Sequence, residues 1–167
     1  MVADCYTMKT KAIAIALSLL ASSVSAKEYM NKNTAPKIPA KIKTAAIQVS
    51  SETGIPASIL LGIASRESDF RPLIGDNGNS YGMCQIHKRW HPEILTDGDW
   101  RCPVFSFRMC AKILKQNLRY CGLNWNKAVA AYNVGPKLAN LHEDKYTTGG
   151  DYSEDVFRRA TAFSYQL

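Results

Sequence analysis

Glu67 is the residue of this sequence best placed for acid chemistry. It lies near the end of an apolar stretch, Ile55 to Ser68 (IPASILLGIASRES), just before a loop rich in Gly, Asn and Asp. A carboxyl at the end of a buried helix is half withdrawn from water, which disfavours its charged form and raises its pKa. Such a group keeps its proton near neutral pH and can hand it to the oxygen of a breaking bond. Read alone, the segment Ser65 to Phe70 (SRESDF) fits better a solvated carboxylate paired with Arg66 or Arg71 on a helix end.

Two later segments change that balance. Gly75 to Ile86 (GDNGNSYGMCQI) sets three glycines among Asp76, Asn77, Asn79, Ser80 and Gln85. Glycines let a backbone approach a ligand closely, and Ser80 and Gln85 carry the hydroxyl and amide groups that bind sugar hydroxyls and acetamides. The plainer reading is a turn followed by an edge strand. The phosphate-cradling pattern GxxxxGK[ST] is missing. Ala128 to Pro136 (AVAAYNVGP) then places Tyr132 and Asn133 together at a helix end. A Tyr132 hydroxyl there can orient the acid, and Asn133 can hold an N-acetyl group; a core tyrosine and a helix-ending asparagine are the plainer roles.

The elements that must position these groups read as mostly helical. Ile42, Ala45, Ala46 and Val49 recur at helical spacing within Ala40 to Ser51, and Thr53-Gly54 ends that run. Ile55 to Ser68 is the strongest helix, with Pro56 in its first turn. Asp69 to Ser80 reads as a loop, Tyr81 to Ile86 as a short extended piece, and Pro103 to Tyr120 as the longest helix. Asn124 caps a helix over Trp125 to Val134, and a shorter one covers Lys137 to His142. Tyr146 to Gly150 reads as a turn, after which Asp151 caps a last helix over Tyr152 to Tyr165. The pattern is that of an α-rich α+β domain with a minor strand region.

The chain has 167 residues, 46% of them hydrophobic and 21% charged, which suits one compact domain plus a leader. Lys9 and Lys11, the apolar run Ala12 to Ala21 and the small residues Val24-Ser25-Ala26 have the layout of a secretion signal over residues 1–26, with Met8 as a second candidate start. The apolar run is about ten residues, short of the roughly 20 that span a bilayer. Residues 27–39 read as a linker or arm and 40–167 as the catalytic domain. After cleavage the expectation is an exported protein, periplasmic or secreted, without a stable membrane span. The net charge of +7 suits anionic polymers in general. Its basic residues are scattered, so a nucleic-acid partner is not expected.

Four cysteines follow the leader: Cys84, Cys102, Cys110 and Cys121. In an exported chain an even count favours disulfides. If Val104 to Tyr120 is one helix, Cys110 and Cys121 stand roughly 16 Å apart at about 1.5 Å per residue. A disulfide needs Cα atoms within about 7 Å, so that pair is excluded and Cys84 with one of the later cysteines is the best expectation. CxxC and HxxxH spacings are missing, so no metal site is expected.

Glu67, then GMCQ (Gly82 to Gln85), then AAYNVGP (Ala130 to Pro136), resembles the lytic transglycosylase family, whose pattern runs ES, G-[LM]-x-Q, AYN-x-G. The resemblance covers about Ile55 to Phe163. It is closer still to goose-type lysozyme of the same superfamily, with GI-x-SRES, GD-x-G-x-x-x-G-x-x-Q, AYN-x-G and DY-x-x-DV-x-x-RA. Here those read Gly62 to Ser68, Gly75-Asp76 onward, Ala131 to Gly135, and Asp151 to Val156. The resemblance implies a lysozyme-like fold, a helical bundle around a substrate cleft. It also implies cleavage of peptidoglycan strands, with Glu67 as the catalytic acid and Asp76 as an auxiliary aspartate. A second auxiliary aspartate would fall just after Gln85-Ile86, where this chain has His87. Tyr152 matches the aromatic that begins the closing helix. As a transglycosylase the chain would cut the MurNAc-β-1,4-GlcNAc bond to give 1,6-anhydroMurNAc ends, without metal or cofactor. The alternatives are a goose-type lysozyme that hydrolyses the same bond with inversion, and an inactive glycan-binding protein.

Overall fold

A computed structural model describes residues 36–141 and 148–167. The signal segment and residues 27–35 of the linker lie outside the described residues. So do Tyr146 and Thr147 of the turn expected over Tyr146 to Gly150.

The first helix, α1 (Ala40–Thr53), buries Ile42, Ala45, Ala46 and Val49, the stripe its spacing predicts. Gly54 ends it in a left-handed conformation (φ 76°), which glycine adopts without steric cost. Helix α2 (Ala57–Ser68) follows Pro56, which stands just outside the helix rather than in its first turn. Nine of its 12 residues are buried, so it is enclosed on nearly every side, as expected of a helix apolar all round. The three that are not are Ala57, Arg66 and Glu67.

The segment after α2 is more ordered than the expected loop. It contains strand β1 (Leu73–Gly75) and a single 3-10 turn, Asp76–Gly78. Strand β2 (Ser80–Gly82) pairs antiparallel with β1 through Leu73 to Gly82, Ile74 to Tyr81 and Gly75 to Ser80. The extended piece over Tyr81 to Ile86 is broken: a turn at Met83–Gln85 separates β2 from β3 (Ile86–His87), which pairs Ser80 with His87. Backbone pairing across a three-residue hairpin arm is a nonlocal gain that periodicity over so few residues does not reveal.

A short helix α3 (Glu93–Thr96) leads into α4 (Pro103–Tyr120), whose buried side carries Phe107, Cys110, Ala111 and Leu114. Glu52 of α1 receives Arg108 of α4 at 2.8 Å from both Nε and Nη2. Helix α5 (Trp125–Val134) begins as expected, the Asn124 side chain accepting the Lys127 N–H at 3.0 Å. Helix α6 spans Pro136–Leu141 and α7 spans Thr148–Ser164. The last helix therefore starts before the expected Asp151 cap, and Thr148 to Gly150 are helical rather than a turn.

One core joins the helices, with Leu60, Leu61, Ile63, Phe107, Leu114, Val129, Val156 and Phe163 among its fully buried side chains. At the far end the Gln166 amide accepts from the Ile38 N–H and donates to the Pro36 carbonyl, both at 3.3 Å, so the chain end pins the entry to α1. Among the described residues no helix is long and apolar enough to cross a membrane.

Candidate active site

Helix α2 ends by turning its last exposed side chains away from the core. Asp69 and Phe70 follow in left-handed conformations (φ 53° and 63°), and their N–H groups close back on Ser65 and Ala64. Residues other than glycine adopt this region at a cost and persist in it where surrounding contacts impose it. Ser68, next to Glu67, is buried and donates from Oγ to the Met83 carbonyl at 2.8 Å. That bond ties the helix end to the turn between β2 and β3.

The turn is locked in its own way. Gln85 has φ 45°, and its Nε2 donates to the Gly82 carbonyl at 2.8 Å and the Leu73 carbonyl at 3.2 Å. Both donors of the amide are thus spent on main chain, and only its oxygen remains to accept. That oxygen packs over Gly75, where an added Cβ would come within 2.0 Å of it. Gly75 is therefore needed for the fit of Gln85.

Glu67 is half-buried, and its Oε1 accepts a hydrogen bond from the Tyr152 hydroxyl at 2.5 Å. Burial pushes the carboxyl above the usual range, while the Tyr152 bond and the Arg66 charge pull against it without cancelling it. The Tyr152 hydroxyl, buried against a carboxylate, is driven well above the ordinary phenol range, so it stays protonated and a donor. Close approach of α7 to α2 makes this bond possible. A Cβ built on Gly62 would lie 2.7 Å from the Val156 carbonyl oxygen and 3.3 Å from the Ala160 nitrogen.

The Tyr132 hydroxyl does not reach the acid as its bonding partner; it donates to the Cys84 carbonyl at 2.9 Å. Burial drives it well above the ordinary phenol range, and it lies close enough to Cys110, Cys84 and Glu67 for their charges to add to that. The roles expected of the two tyrosines are therefore exchanged: Tyr152, whose match was only to an aromatic opening the last helix, touches Glu67. Its contact depends on how two helices cross, a relationship that neither segment carries. Arg66, which the sequence offers as a partner of Glu67, pairs instead with Asp155 beside these two residues; Asp155 had no expected role, and its only sequence signal was the DYxxDV spacing.

The other candidates lie farther out. Asn133 is exposed at the end of α5, and Ser80 is buried within β2. Asp76 has φ 48° and is exposed; its Oδ2 is 3.4 Å from Nε2 of His87. The Arg89 N–H donates to Nδ1 of His87 at 3.1 Å, so the imidazole hydrogen sits on Nε2, facing Asp76. Cys84, Cys102, Cys110 and Cys121 are free thiols, so the expected disulfide is not formed; Cys84 and Cys110 are nevertheless buried in hydrogen-bonding contact. A disulfide is an oxidation, and proximity alone does not form it. Among the described residues, no three His, Cys, Asp or Glu side chains are grouped to hold a metal.

A helical domain with a small antiparallel sheet, built around a half-buried carboxyl beside the sheet's turn, has the lysozyme-like α-rich α+β fold. Residues 44–153 match the family described as "Transglycosylase SLT domain", and the chain belongs to that family. It is also similar to lysozyme G of Dromaius novaehollandiae, 31% identical over 134 residues, which are 72% of this chain and 64% of that protein. Lysozyme g of Casuarius casuarius is 31% identical over 135 residues, 72% and 71% of the two chains. Lysozyme g of Gallus gallus is 30% identical over 137 residues, 74% and 64%. The chain thus spans a little under two thirds of the length of the Dromaius relative.

Proposed function

We propose that this chain is an exported muramidase, a lytic transglycosylase that cuts the MurNAc-β-1,4-GlcNAc bond of peptidoglycan and leaves 1,6-anhydroMurNAc ends. The observation that carries the reading is the half-buried Glu67 carboxyl with the Tyr152 hydroxyl on Oε1. Because Oε1 is occupied, the transferable proton belongs on Oε2. Glu67 donates it to the bridging oxygen as the bond to C1 of MurNAc breaks, and the substrate's acetamido group stabilises the cationic ring. The resulting carboxylate keeps the Tyr152 bond, then takes the proton of the sugar's own 6-hydroxyl as that oxygen closes onto C1. The proton returns to Glu67, and no water is consumed.

Hydrolysis with inversion is the second reading, favoured by the similarity to lysozymes g. It needs a second carboxylate to activate a water across the ring, at about 6.5–9.5 Å from the first. Asp76 is the candidate, but it is exposed and turned to His87, which stands where the resemblance expects another carboxylate. That substitution favours the transglycosylase. An inactive glycan-binding protein is the third reading, and the intact Glu67–Tyr152 pair speaks against it.

Mass spectrometry of digested peptidoglycan tests the proposal. Anhydro ends, lighter by one water than reducing ends, are expected; reducing ends alone mean hydrolysis, and an uncleaved wall suspension means binding without catalysis. Export rests on Lys9, Lys11, Ala12 to Ala21 and Val24-Ser25-Ala26. N-terminal sequencing of protein recovered outside the cytoplasm should begin at Lys27.

A further inference from the structure

The ion pairs around Asp155 adjoin the acid, and the reaction above does not use them. Asp155 follows Tyr152 by three residues on α7, so the two share a face of that helix. Its carboxylate accepts from Nε of Arg159 at 2.9 Å and also pairs with Arg158. Nε of Arg66 on α2 is 3.1 Å away. Nη1 of Arg159 reaches on to the buried Ser65 Oγ at 2.9 Å. Three cations from two helices thus converge on one carboxylate.

Arg66 is the one that bears on catalysis. It immediately precedes Glu67, its guanidinium lies 5.9 Å from the centre of the Tyr152 ring, and its charge acts on the Glu67 carboxyl. An arginine paired with a carboxylate holds it ionised, and an ionised Glu67 has no proton to give. Here that guanidinium is engaged by Asp155 instead.

We propose that Asp155 is a positioning residue for the acid: it holds Arg66 against the Tyr152 ring, so that the guanidinium does not pair with Glu67 and the carboxyl keeps its proton. The proposal rests on the reading of Glu67 as the acid. Besides Arg66, the groups facing Glu67 are Tyr152 of α7, Tyr132 of α5 and the Cys110 thiol of α4. The groups facing Asp155 are Arg66 of α2 and Arg158 and Arg159 of α7. Burial pushes the Asp155 carboxyl up, but hydrogen bonds from Arg159 and Arg158 outweigh it, so Asp155 stays charged where Glu67 is protonated. Removing the Asp155 charge acts twice in one direction. It releases Arg66 toward Glu67 and deletes a neighbouring negative charge, and both favour the ionised acid.

The test is the pH profile of peptidoglycan clearing by the full chain, with melting curves, for the wild type, Asp155→Asn, Arg66→Gln, the double variant and Glu67→Gln. The limb on which activity falls as pH rises reports the loss of the acid's proton. In Asp155→Asn that limb should move to lower pH, with activity at pH 7 down about fivefold or more and largely recovered at acid pH. In Arg66→Gln it should move to higher pH, and in the double variant the Asp155→Asn shift should shrink to the smaller part that comes from the deleted negative charge alone. A uniform loss at every pH with an unmoved limb makes Asp155 a structural clamp and overturns the proposal. If Asp155→Asn does not fold, Arg66→Gln decides: an unmoved limb overturns the proposal equally. Clearing by Glu67→Gln removes the acid reading itself. An inactive Glu67→Gln alongside unmoved limbs removes the positioning role alone.

Discussion

Gly62 of α2 faces the Val156 carbonyl of α7 with no room for a methyl group, since a Cβ there would lie 2.7 Å from that oxygen. This approach brings the last turn of α2 within reach of Tyr152. Gly62→Ala should therefore damage both stability and activity. Helix propensity alone favours alanine by about 1 kcal/mol, whereas forcing a methyl against backbone costs about 1–3 kcal/mol. The expected net result is a lower melting temperature, with clearing activity lost by more than the unfolded fraction explains. A melting temperature at or above wild type would show that the helices part freely.

Glu67→Gln should abolish cleavage, with a loss of at least about a hundredfold in rate, while glycan binding persists in a pull-down on intact wall. It should also raise the melting temperature at neutral pH. The folded Glu67 pKa lies above the unfolded one, so the native state holds a proton the unfolded state releases, and stability falls as pH rises through that interval. Glutamine removes this penalty. The advantage over wild type should shrink as the pH drops below the ordinary carboxylate range, which melting curves at several pH values will show.

Two tyrosine-to-phenylalanine variants should separate cleanly. Tyr152→Phe removes the donor on Glu67 Oε1, and with it a bond that favours the ionised form. The basic limb of the pH–rate profile should move to higher pH. The rate should also fall by roughly ten- to a hundredfold, because a hydrogen bond to a charged group is worth about 1.5–3 kcal/mol.

Tyr132→Phe instead leaves the Cys84 carbonyl without its partner. A buried acceptor left unpaired costs about 1–3 kcal/mol, so the melting temperature should drop while the limb stays in place. A shifted limb in Tyr132→Phe, or none in Tyr152→Phe, would reverse the assignment of the two residues.

Asp76→Asn distinguishes the two reaction outcomes. Under the transglycosylase reading, the carboxylate facing His87 takes no part in closing the anhydro ring. Turnover should stay within about threefold of wild type, with anhydro ends retained. A loss of a hundredfold or more would mark Asp76 as a water-activating base.

Much of the helical frame is legible in the chain itself. The stripe Ile42, Ala45, Ala46, Val49 predicts α1, and Asn124 with its bond to Lys127 marks the start of α5. Short-range periodicity and capping suffice there, because the partners are a turn apart. Strand β1, in a stretch that reads as loop, the turn that splits the expected extended piece into β2 and β3, and the helical start at Thr148 were not legible. Strands that brief exist only through pairing with each other, and a helix beginning Thr-Gly-Gly contradicts local propensity and is sustained by the packing of the residues after it.

What the amino-acid sequence indicates alone is where a candidate acid stands: Glu67 lies in the last turn of an apolar helix, beside its one basic residue, and the segments around Gln85 and Tyr132 follow in an order that points to the fold. What only the tertiary structure decided is the company the acid keeps. Tyr152 is 85 residues away along the chain, and whether it, Tyr132 or Arg66 meets the carboxyl depends on the spacing of α2 and α7. The missing side chain of Gly62 permits that close spacing, and the Arg66–Asp155 ion pair crosses the same seam; local pattern encodes neither contact between helices.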